Sequence, residues 1–322
     1  MLPPKTCIII LNWNGKTDTL KCLDSLKGLP YEVIVVDNGS TDDSVEAIRK
    51  AFPKCTLIEN GFNLGYAGGN NIGIEYALKM GFDFFYILNN DTIVDSKCIE
   101  ALLDQFAHEP NLGVLGSTII RMDEPELIDH LGGNWNPKSC SFDYIGYREK
   151  RETLQTPDSL DYVCGAAVMI KREIFEKVGL FDPRFFLFWE EADLCFRAAR
   201  AGYAIKSCPD SLIWHRISAS FTGGKPHASY FVSRNRLLWI EKNIKGPQRG
   251  WMLLKLIAKN LFFSTQTRFV RGFQKQLQMV RGKDTTRNQD RIIRAKAVST
   301  ATWDYLMRKF YAGRSKNFMN CH

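Results

Sequence analysis

Short apolar runs alternate with amphipathic segments along the first part of the chain. Four largely apolar runs are long enough for strands, and they occupy residues 6–11, 32–36, 56–58 and 84–88. The segments between them carry apolar residues at helical spacing, as Leu20, Leu23 and Leu26 do in the first predicted helix. Such strands alternating with helices are typical of parallel β-α-β units with both sheet faces covered. We therefore predict an α/β fold.

The pattern changes twice farther along the chain. Between residues 114 and 170 it loosens into short strands and turns, which predicts a mixed or antiparallel extension of the sheet. Beyond residue 242, apolar residues recur at helical spacing among lysines and arginines, which predicts a C-terminal helical extension. We therefore predict a larger domain over residues 1–240 and a basic amphipathic helical region over residues 241–322.

Composition is that of a globular protein with a large core. The chain has 322 residues, of which 45% are hydrophobic and 24% charged. Its nine cysteines are scattered without a C-x-x-C pair, which favours reduced thiols over a disulfide framework or a zinc site. The N-terminal residues lack the pattern of a secretory signal, and the apolar run at 251–263 is too short to span a bilayer. We expect a cytoplasmic protein without a transmembrane helix.

Charge divides unevenly between the two predicted regions. The net charge is +8, yet residues 241–322 alone carry +14 and residues 1–240 carry −6. A basic amphipathic helix can lie in an anionic membrane interface, which predicts peripheral contact with the inner face of the plasma membrane. A solvated helical surface, or packing against the first domain, explains the same pattern. No recognisable nucleic-acid recognition motif accompanies the basic residues.

Polar residues follow the predicted strands. Asn12, Asp37, Asn63 and Asp91 are all expected at the carboxyl edge of the sheet, where open α/β sheets bind ligands. A carboxylate such as Asp37 commonly bonds the ribose or base of a nucleotide there, although a capped turn explains the residues after it equally well. A dinucleotide dehydrogenase is disfavoured because residues 12–15 lack the G-x-G-x-x-G pattern.

A glycine-rich stretch at residues 60–73 separates the third strand from the next helix. Successive backbone N–H groups at a helix N-terminus form a good cradle for a diphosphate. Glycines also permit positive φ angles and close helix packing, so both interpretations stay open.

The sequence Asn89-Asn90-Asp91 supplies oxygen ligands of the kind that Mg²⁺ or Mn²⁺ prefers. A capped turn is the alternative. His215, at the end of a later predicted strand, is a further candidate ligand or a satisfied structural histidine.

Three acids crowd the start of a helix after an aromatic run at residues 185–189. Capping and a pair with Arg197 explain Asp193. Glu190 and Glu191 differ, because an apolar wall raises the pKa of a carboxylate and suits it to act as a general base.

Together these motifs resemble the family 2 glycosyltransferases, and most of all their bacterial rhamnosyltransferase-like branch. The resemblance covers roughly residues 5–240 and rests on five motifs in order: residues 8–15, Asp37-Asn38-Gly39-Ser40-x-Asp42, the glycine stretch at 63–73, Asn89-Asn90-Asp91, and Trp189-Glu190-Glu191-Ala192-Asp193 with Trp214-His215. It implies a nucleotide-binding sheet of the A-type glycosyltransferase fold, a nucleoside-diphosphate sugar donor, a divalent metal and inversion at the anomeric carbon.

The resemblance also assigns roles to residues. Asp37 would hold the base or ribose, Asp91 would hold the metal, and an acid at 190–191 would deprotonate the acceptor. The family usually has Asp where this chain has Glu191, which leaves the base open between Glu191 and Glu190. The donor-binding residues it indicates are Asn12, Asp37, Asn38, Ser40, Asn63, Gly65, Gly68, Asn71 and Asn90.

The function implied is transfer of a sugar to a hydroxyl of a glycan or lipid-linked saccharide in cell-surface polysaccharide synthesis. Donor selection is expected to lie in residues 116–167, with dTDP-rhamnose ahead of a UDP-hexose. A nucleotidyltransferase would share the fold and the metal. This chain, however, lacks the glycine- and lysine-rich signature that such an enzyme carries after its first strand. A non-catalytic sugar-nucleotide-binding protein would keep the donor site and be indifferent to Glu191.

Overall fold

A computed structural model of the protein describes residues 4–216, 225–281 and 284–319. The chain divides into two compact units. The first comprises residues 1–183 and 190–217, and the second comprises residues 184–189 and 218–322, each within the described part of the chain. The predicted boundary at residue 240 remains a prediction, although the helix at residues 226–243 falls with the second unit.

The first unit is built on an eight-stranded mixed sheet, whose strands are β1 (Thr6–Asn12), β2 (Glu32–Asp37), β3 (Thr56–Glu59), β4 (Phe84–Asn89), β5 (Thr92–Val94), β6 (Leu112–Arg121), β10 (Ala167–Lys171) and β11 (Ala204–His215). Their order in the sheet is β3-β2-β1-β4-β10-β6-β11-β5. The four predicted strands are confirmed as β1 to β4, and they pair in parallel. The predicted α/β fold with a mixed sheet is therefore confirmed.

The mixed character comes from β10, which lies antiparallel between β4 and β6. Strand β5 is likewise antiparallel to β11 at the edge of the sheet. A small antiparallel sheet is formed by β7 (Gly132–Asn136), β8 (Ser141–Ile145) and β9 (Tyr162–Val163). The predicted loosening of the pattern after residue 114 thus corresponds to these reversals and to the added sheet.

Helices cover the large sheet because each presents an apolar face to it. They are α1 (Lys16–Ser25), α2 (Ser44–Ala51), α3 (Gly65–Lys79), α4 (Cys98–His108), α5 (Arg172–Val178) and α6 (Glu190–Arg200). The core beside β1 contains Ile8, Ile10, Tyr86 and Leu88, all essentially inaccessible to solvent. Burial of such side chains is the main favourable term in folding.

Helix α3 begins at Gly65, earlier than the start near Gly69 that the glycine-rich sequence predicts. A Cβ atom at Gly69 would lie 2.4 Å from the Leu11 side chain, and one at Gly73 would lie 2.6 Å from Ile9. These glycines therefore let the helix approach β1 closely, and this packing outweighs their poor helix propensity.

The second unit contains the predicted C-terminal helices. They are α7 (Pro226–Asn243), α8 (Pro247–Val280), α9 (Thr286–Leu306) and α10 (Lys316–Met319). Buried Asp304 accepts hydrogen bonds from the Tyr230 hydroxyl and from the side chain and backbone N–H of Arg314. The Asn235 amide nitrogen lies 2.8 Å from three carbonyl oxygens of residues 185–188 and shares its two N–H donors among them, which fixes the aromatic run in this unit. No helix in the described ranges is both long and apolar enough to cross a bilayer.

Candidate functional site

Asp37 lies at the carboxyl edge of the sheet, directly opposite Asn12 in the parallel pairing of β1 and β2. The Asn12 amide donates to Oδ1 of Asp37 at 2.7 Å, and the Ser40 hydroxyl donates to the same oxygen at 2.6 Å. The Ser40 backbone N–H donates to Oδ2 at 2.9 Å. Both carboxylate oxygens of Asp37 are thus oriented by short bonds at the end of its strand.

Asn90 joins the same network through Thr19 on helix α1. The Asn90 amide donates to the Thr19 hydroxyl at 2.8 Å, and that hydroxyl donates to Oδ1 of Asn12 at 2.7 Å. A Cβ atom at Gly15 would lie 2.3 Å from the Asn90 amide nitrogen, so only glycine fits there without displacing Asn90. Thr19 was not predicted from the sequence, because a threonine inside an amphipathic helix gives no local signal of such a role.

Asn38, Asn63 and Gly65 form a second network beside the first. The Asn38 amide donates to Oδ1 of Asn63 and to the Gly65 carbonyl, both at 3.1 Å. Oδ1 of Asn63 also accepts the Gly65 backbone N–H at 2.7 Å, at the first residue of α3. The start of this helix is therefore held against the end of β2, where the sequence predicts donor binding.

Gly68 and Asn71 lie on α3, and their described contacts are structural. A Cβ atom at Gly68 would lie 2.9 Å from Cβ of Leu64. The Asn71 side chain bonds the backbone of Phe181 twice, donating to its carbonyl at 2.8 Å and accepting its N–H at 3.1 Å. Donor contact by these two residues remains a prediction.

Asp91 and His215 come together across the pairing of β5 with β11. His215 lies opposite Thr92 in that pairing, and its Nε2 atom is 3.2 Å from Oδ1 of Asp91. The His215 side chain is 2% exposed and that of Asp91 is 13% exposed. Residues far apart in the sequence are thus brought within one hydrogen-bond distance at the sheet edge.

This separation fits two ligands of one divalent ion. Two ligand atoms about 2.1 Å from an ion and at right angles to each other stand about 3 Å apart. Within residues 4–216, 225–281 and 284–319, no group of three or more His, Cys, Asp or Glu residues could hold a metal ion. An ion bound here would therefore need further oxygen ligands from substrate or water.

Glu190 and Glu191 begin helix α6, and they differ in exposure. Glu190 is buried at 3% exposure, whereas Glu191 is half-buried. Asp193 is fully buried and pairs with the Arg197 guanidinium at 2.9 Å, as predicted. Of the two residues, Glu191 is the more exposed, although Oε2 of each glutamate is buried.

Tyr66 connects helix α3 with the segment beside Glu191. Its hydroxyl donates to the Gly165 carbonyl, and a Cβ atom at Gly165 would lie 3.5 Å from Cβ of Glu191. Burial, and then the nearby Glu190 and Glu191 carboxylates, raise the pKa of Tyr66 well above its ordinary value. The phenol stays protonated as a donor. Tyr66 was not predicted as a site residue, although it lies inside the glycine motif.

The segment that carries Gly165 also reaches the end of β4. The Asn89 backbone N–H donates to the Ala166 carbonyl at 2.8 Å. Asn89 in turn lies two residues before Asp91. Residues 165 and 166 therefore lie beside both Glu191 and the end of β4, and Glu191 and Asp91 both belong to the first unit.

Asp129 and His130 form a buried ionisable pair in the same unit, which was not predicted from the sequence either. Nδ1 of His130 lies 3.4 Å from Oδ2 of Asp129. Burial opposes protonation of His130, but the Cys164 and Asp129 side chains raise its pKa to about 10. Burial acts to raise the pKa of Asp129, but the hydrogen bond and charge of His130 outweigh it and lower that pKa below its ordinary value.

The sequence is similar to a protein family and to individual proteins of named activity. The family model of Glycosyl transferase family 2 matches residues 7–179. The chain is 28% identical to an N-acetylglucosaminyl-diphospho-decaprenol L-rhamnosyltransferase of Mycobacterium tuberculosis, over 79% of this chain and 90% of the relative. It is 28% identical to a dTDP-rhamnosyl transferase of Shigella flexneri, over 73% and 79% respectively.

The fold is also similar to that of a solved structure. A mannosyltransferase from Pyrobaculum calidifontis, solved in complex with GDP-Man and Mn²⁺, superposes with a TM-score of 0.57. That similarity covers 96% of this chain and 89% of the mannosyltransferase at 16% sequence identity. Since the identity is low, the likeness concerns the fold.

Proposed function

Because the chain belongs to glycosyl transferase family 2, we propose that it moves a sugar from a nucleoside-diphosphate sugar to a hydroxyl of a glycan or lipid-linked saccharide. One observation carries the proposal: Asp37 and the Asp91–His215 pair lie at the same carboxyl edge of one sheet. Ligands of open α/β sheets bind at this edge.

The nucleotide of the donor occupies the end of β2 in this proposal. Asp37 bonds the base or ribose, and Asn12 and Ser40 fix its carboxylate in a single orientation. The start of α3, held by Asn38 and Asn63, lies beside it and favours negative charge because of the helix dipole.

Asp91 and His215 are the residues that would hold Mg²⁺ or Mn²⁺, with the donor diphosphate completing the ligands. A divalent ion bound there would offset the negative charge of the departing diphosphate. The support is the 3.2 Å separation of the two side chains, together with the Mn²⁺ that accompanies GDP-Man in the mannosyltransferase complex of similar fold.

Glu191 is the proposed general base. It takes the proton of the acceptor hydroxyl while that oxygen forms a bond with the anomeric carbon and the bond to the diphosphate breaks. A single displacement of this kind inverts the anomeric carbon and needs no enzyme nucleophile. The partial exposure of Glu191, compared with the burial of Glu190, supports this choice.

The donor is proposed to be dTDP-rhamnose, ahead of a UDP-hexose. The support is the naming of two relatives as rhamnosyl transferases, one of them specifying dTDP. The small sheet of β7, β8 and β9 falls within the predicted selectivity region at residues 116–167. A lipid-linked acceptor at a cytoplasmic membrane face agrees with the diphospho-decaprenol in the name of the mycobacterial relative.

A ligand panel tests the proposal. Purified full-length protein would be melted with each of several nucleotide sugars, with and without Mg²⁺ or Mn²⁺, and assayed for sugar release. We expect at least one nucleoside-diphosphate sugar to raise the Tm in the presence of metal, and Asp37→Ala to abolish that rise. If no nucleotide sugar changes the Tm under any condition, the proposal is wrong.

A further inference from the structure

A cavity of about 540 Å³ lies between helices α8 and α9 in the second unit. Four arginines line it, and we call this cavity the arginine pocket: Arg271, Arg281, Arg287 and Arg291. The remaining lining consists of amide side chains and one apolar residue, Leu277. The pocket is therefore strongly cationic and rich in hydrogen-bond donors.

The guanidinium groups of this pocket repel one another. Arg271, more than any other neighbour, lowers the pKa of Arg291, and desolvation, Arg287 and Arg294 add to the effect. In the described ranges of the chain, none of the four pocket arginines forms an ion pair with a carboxylate. Gathering like charges without a counter-charge costs free energy, and a bound anion would recover it.

An apolar stripe runs along the same helix. It comprises Phe262, Phe269, Phe273 and Leu277, whose spacing of seven, four and four residues places them on one face of α8. Their exposed fractions are 70%, 80%, 61% and 42% in that order. Leu277 belongs to both the stripe and the pocket, so the apolar face adjoins the cationic cavity.

We propose that α8 and α9 bind a membrane surface, with the phosphate of an anionic lipid headgroup in the arginine pocket and the apolar stripe in the interface. The bidentate fork of arginine suits phosphate oxygens. Charge complementarity alone would also admit a free phosphate or a nucleic acid. The exposed stripe beside the pocket favours a lipid, because only a lipid joins a phosphate to hydrocarbon.

This site does not rest on the proposed transferase activity, and it can be tested without it. Full-length protein would be sedimented with vesicles of phosphatidylcholine alone and with vesicles of equal parts phosphatidylcholine and phosphatidylglycerol. The pocket variant is Arg287→Gln with Arg291→Gln. The matched control is Arg249→Gln with Arg268→Gln, which removes the same charge from exposed positions of α8 outside the pocket.

We expect wild-type protein to bind only the vesicles that contain phosphatidylglycerol. The pocket variant should lose about tenfold or more in affinity, and the control should lose clearly less. A stripe variant, Phe269→Ser with Phe273→Ser, should lose about tenfold or more as well. Unchanged thermal melting of each variant confirms that it folds.

Several results would overturn the proposal. Equal losses in the pocket variant and the control would mean that only net charge matters. If the stripe variant binds vesicles as well as the wild type does, the apolar stripe does not contact the membrane. Without vesicle binding, three other results would each give the surface a different partner: stabilisation by inorganic phosphate, binding of a single-stranded oligonucleotide, or self-association through the stripe.

Discussion

Nε2 of His215 lies 3.2 Å from Oδ1 of Asp91, although 123 residues of sequence lie between these two side chains. Strand β11 returns to the sheet beside β5 and places the histidine opposite Thr92, the residue that follows Asp91. The pair is the most specific geometric feature of the proposed metal site.

Replacing either member of this pair should weaken metal binding. We expect Asp91→Asn to lower the affinity for Mn²⁺, measured by calorimetry in the presence of a nucleoside diphosphate, by about tenfold or more, because one ionic ligand is lost. His215→Gln should have a smaller effect in the same direction. Asp104→Asn, at an exposed position on α4, is the control. Unchanged Mn²⁺ affinity in Asp91→Asn would contradict the assignment.

The Thr19 hydroxyl should contribute to both stability and donor binding. Thr19→Val keeps the shape of the side chain but leaves the amides of Asn12 and Asn90 without this partner. We expect a loss of about 1–3 kcal/mol in the free energy of unfolding, measured by urea denaturation, and weaker donor binding. Thr265→Val, at an exposed position on α8, should cost less than about 0.5 kcal/mol. Equal effects in the two variants would rule out the network.

A methyl group at Gly165 should impair transfer more than folding. Its carbon would lie 3.1 Å from the Tyr66 hydroxyl and 3.5 Å from Cβ of Glu191, so the tyrosine must shift by a few tenths of an ångström. We expect Gly165→Ala to lower kcat by about tenfold or more, since small misplacements of catalytic groups are costly. Gly250→Ala, in open space on α8, should leave kcat unchanged. A fully active Gly165→Ala variant would show that the position of Tyr66 does not affect transfer.

The contacts of His130 with Cys164 and Asp129 should make stability depend on pH. The pKa of His130 is raised in the folded protein to about 10, so its contribution is full below the unfolded value near 6.5 and is lost as pH rises toward 10. The Tm of the wild type should fall over this range, and His130→Gln should remove part of that fall. The part removed should correspond to more than about 1 kcal/mol in the free energy of unfolding. His108→Gln, at an exposed position, should keep the wild-type profile. If Tm depends on pH in the same way in His130→Gln and in the wild type, His130 is not protonated in the folded protein over this range.

The parallel half of the sheet could be predicted from the sequence because its strands are buried on both faces. Residues such as Ile8, Ile9 and Ile10 are therefore all apolar, and the pattern needs no knowledge of distant partners. The position of β10 between β4 and β6 could not be predicted in this way. Its antiparallel pairing is set by contacts between residues far apart in sequence, such as Met169 with Tyr86.

The candidate site was predictable where strand ends carry polar residues. Asn12, Asp37 and Asp91 follow apolar runs, and the structure places all three at the expected edge. Thr19 and Asp129 lie in segments whose local pattern is ordinary, so only the folded chain reveals their contacts. The start of α3 at Gly65 was missed because tertiary packing, rather than local propensity, decides it.

The role of Glu191 as the general base is tested by comparing Glu191→Gln with Glu190→Gln in donor binding and in transfer. Glutamine keeps the shape of the side chain but cannot accept the proton of the acceptor hydroxyl. We predict that Glu191→Gln retains the Kd of wild type for the nucleotide sugar and loses about 10²-fold or more in kcat. Full transfer activity in Glu191→Gln, with the loss in Glu190→Gln or in neither variant, would contradict the assignment of Glu191 as the base.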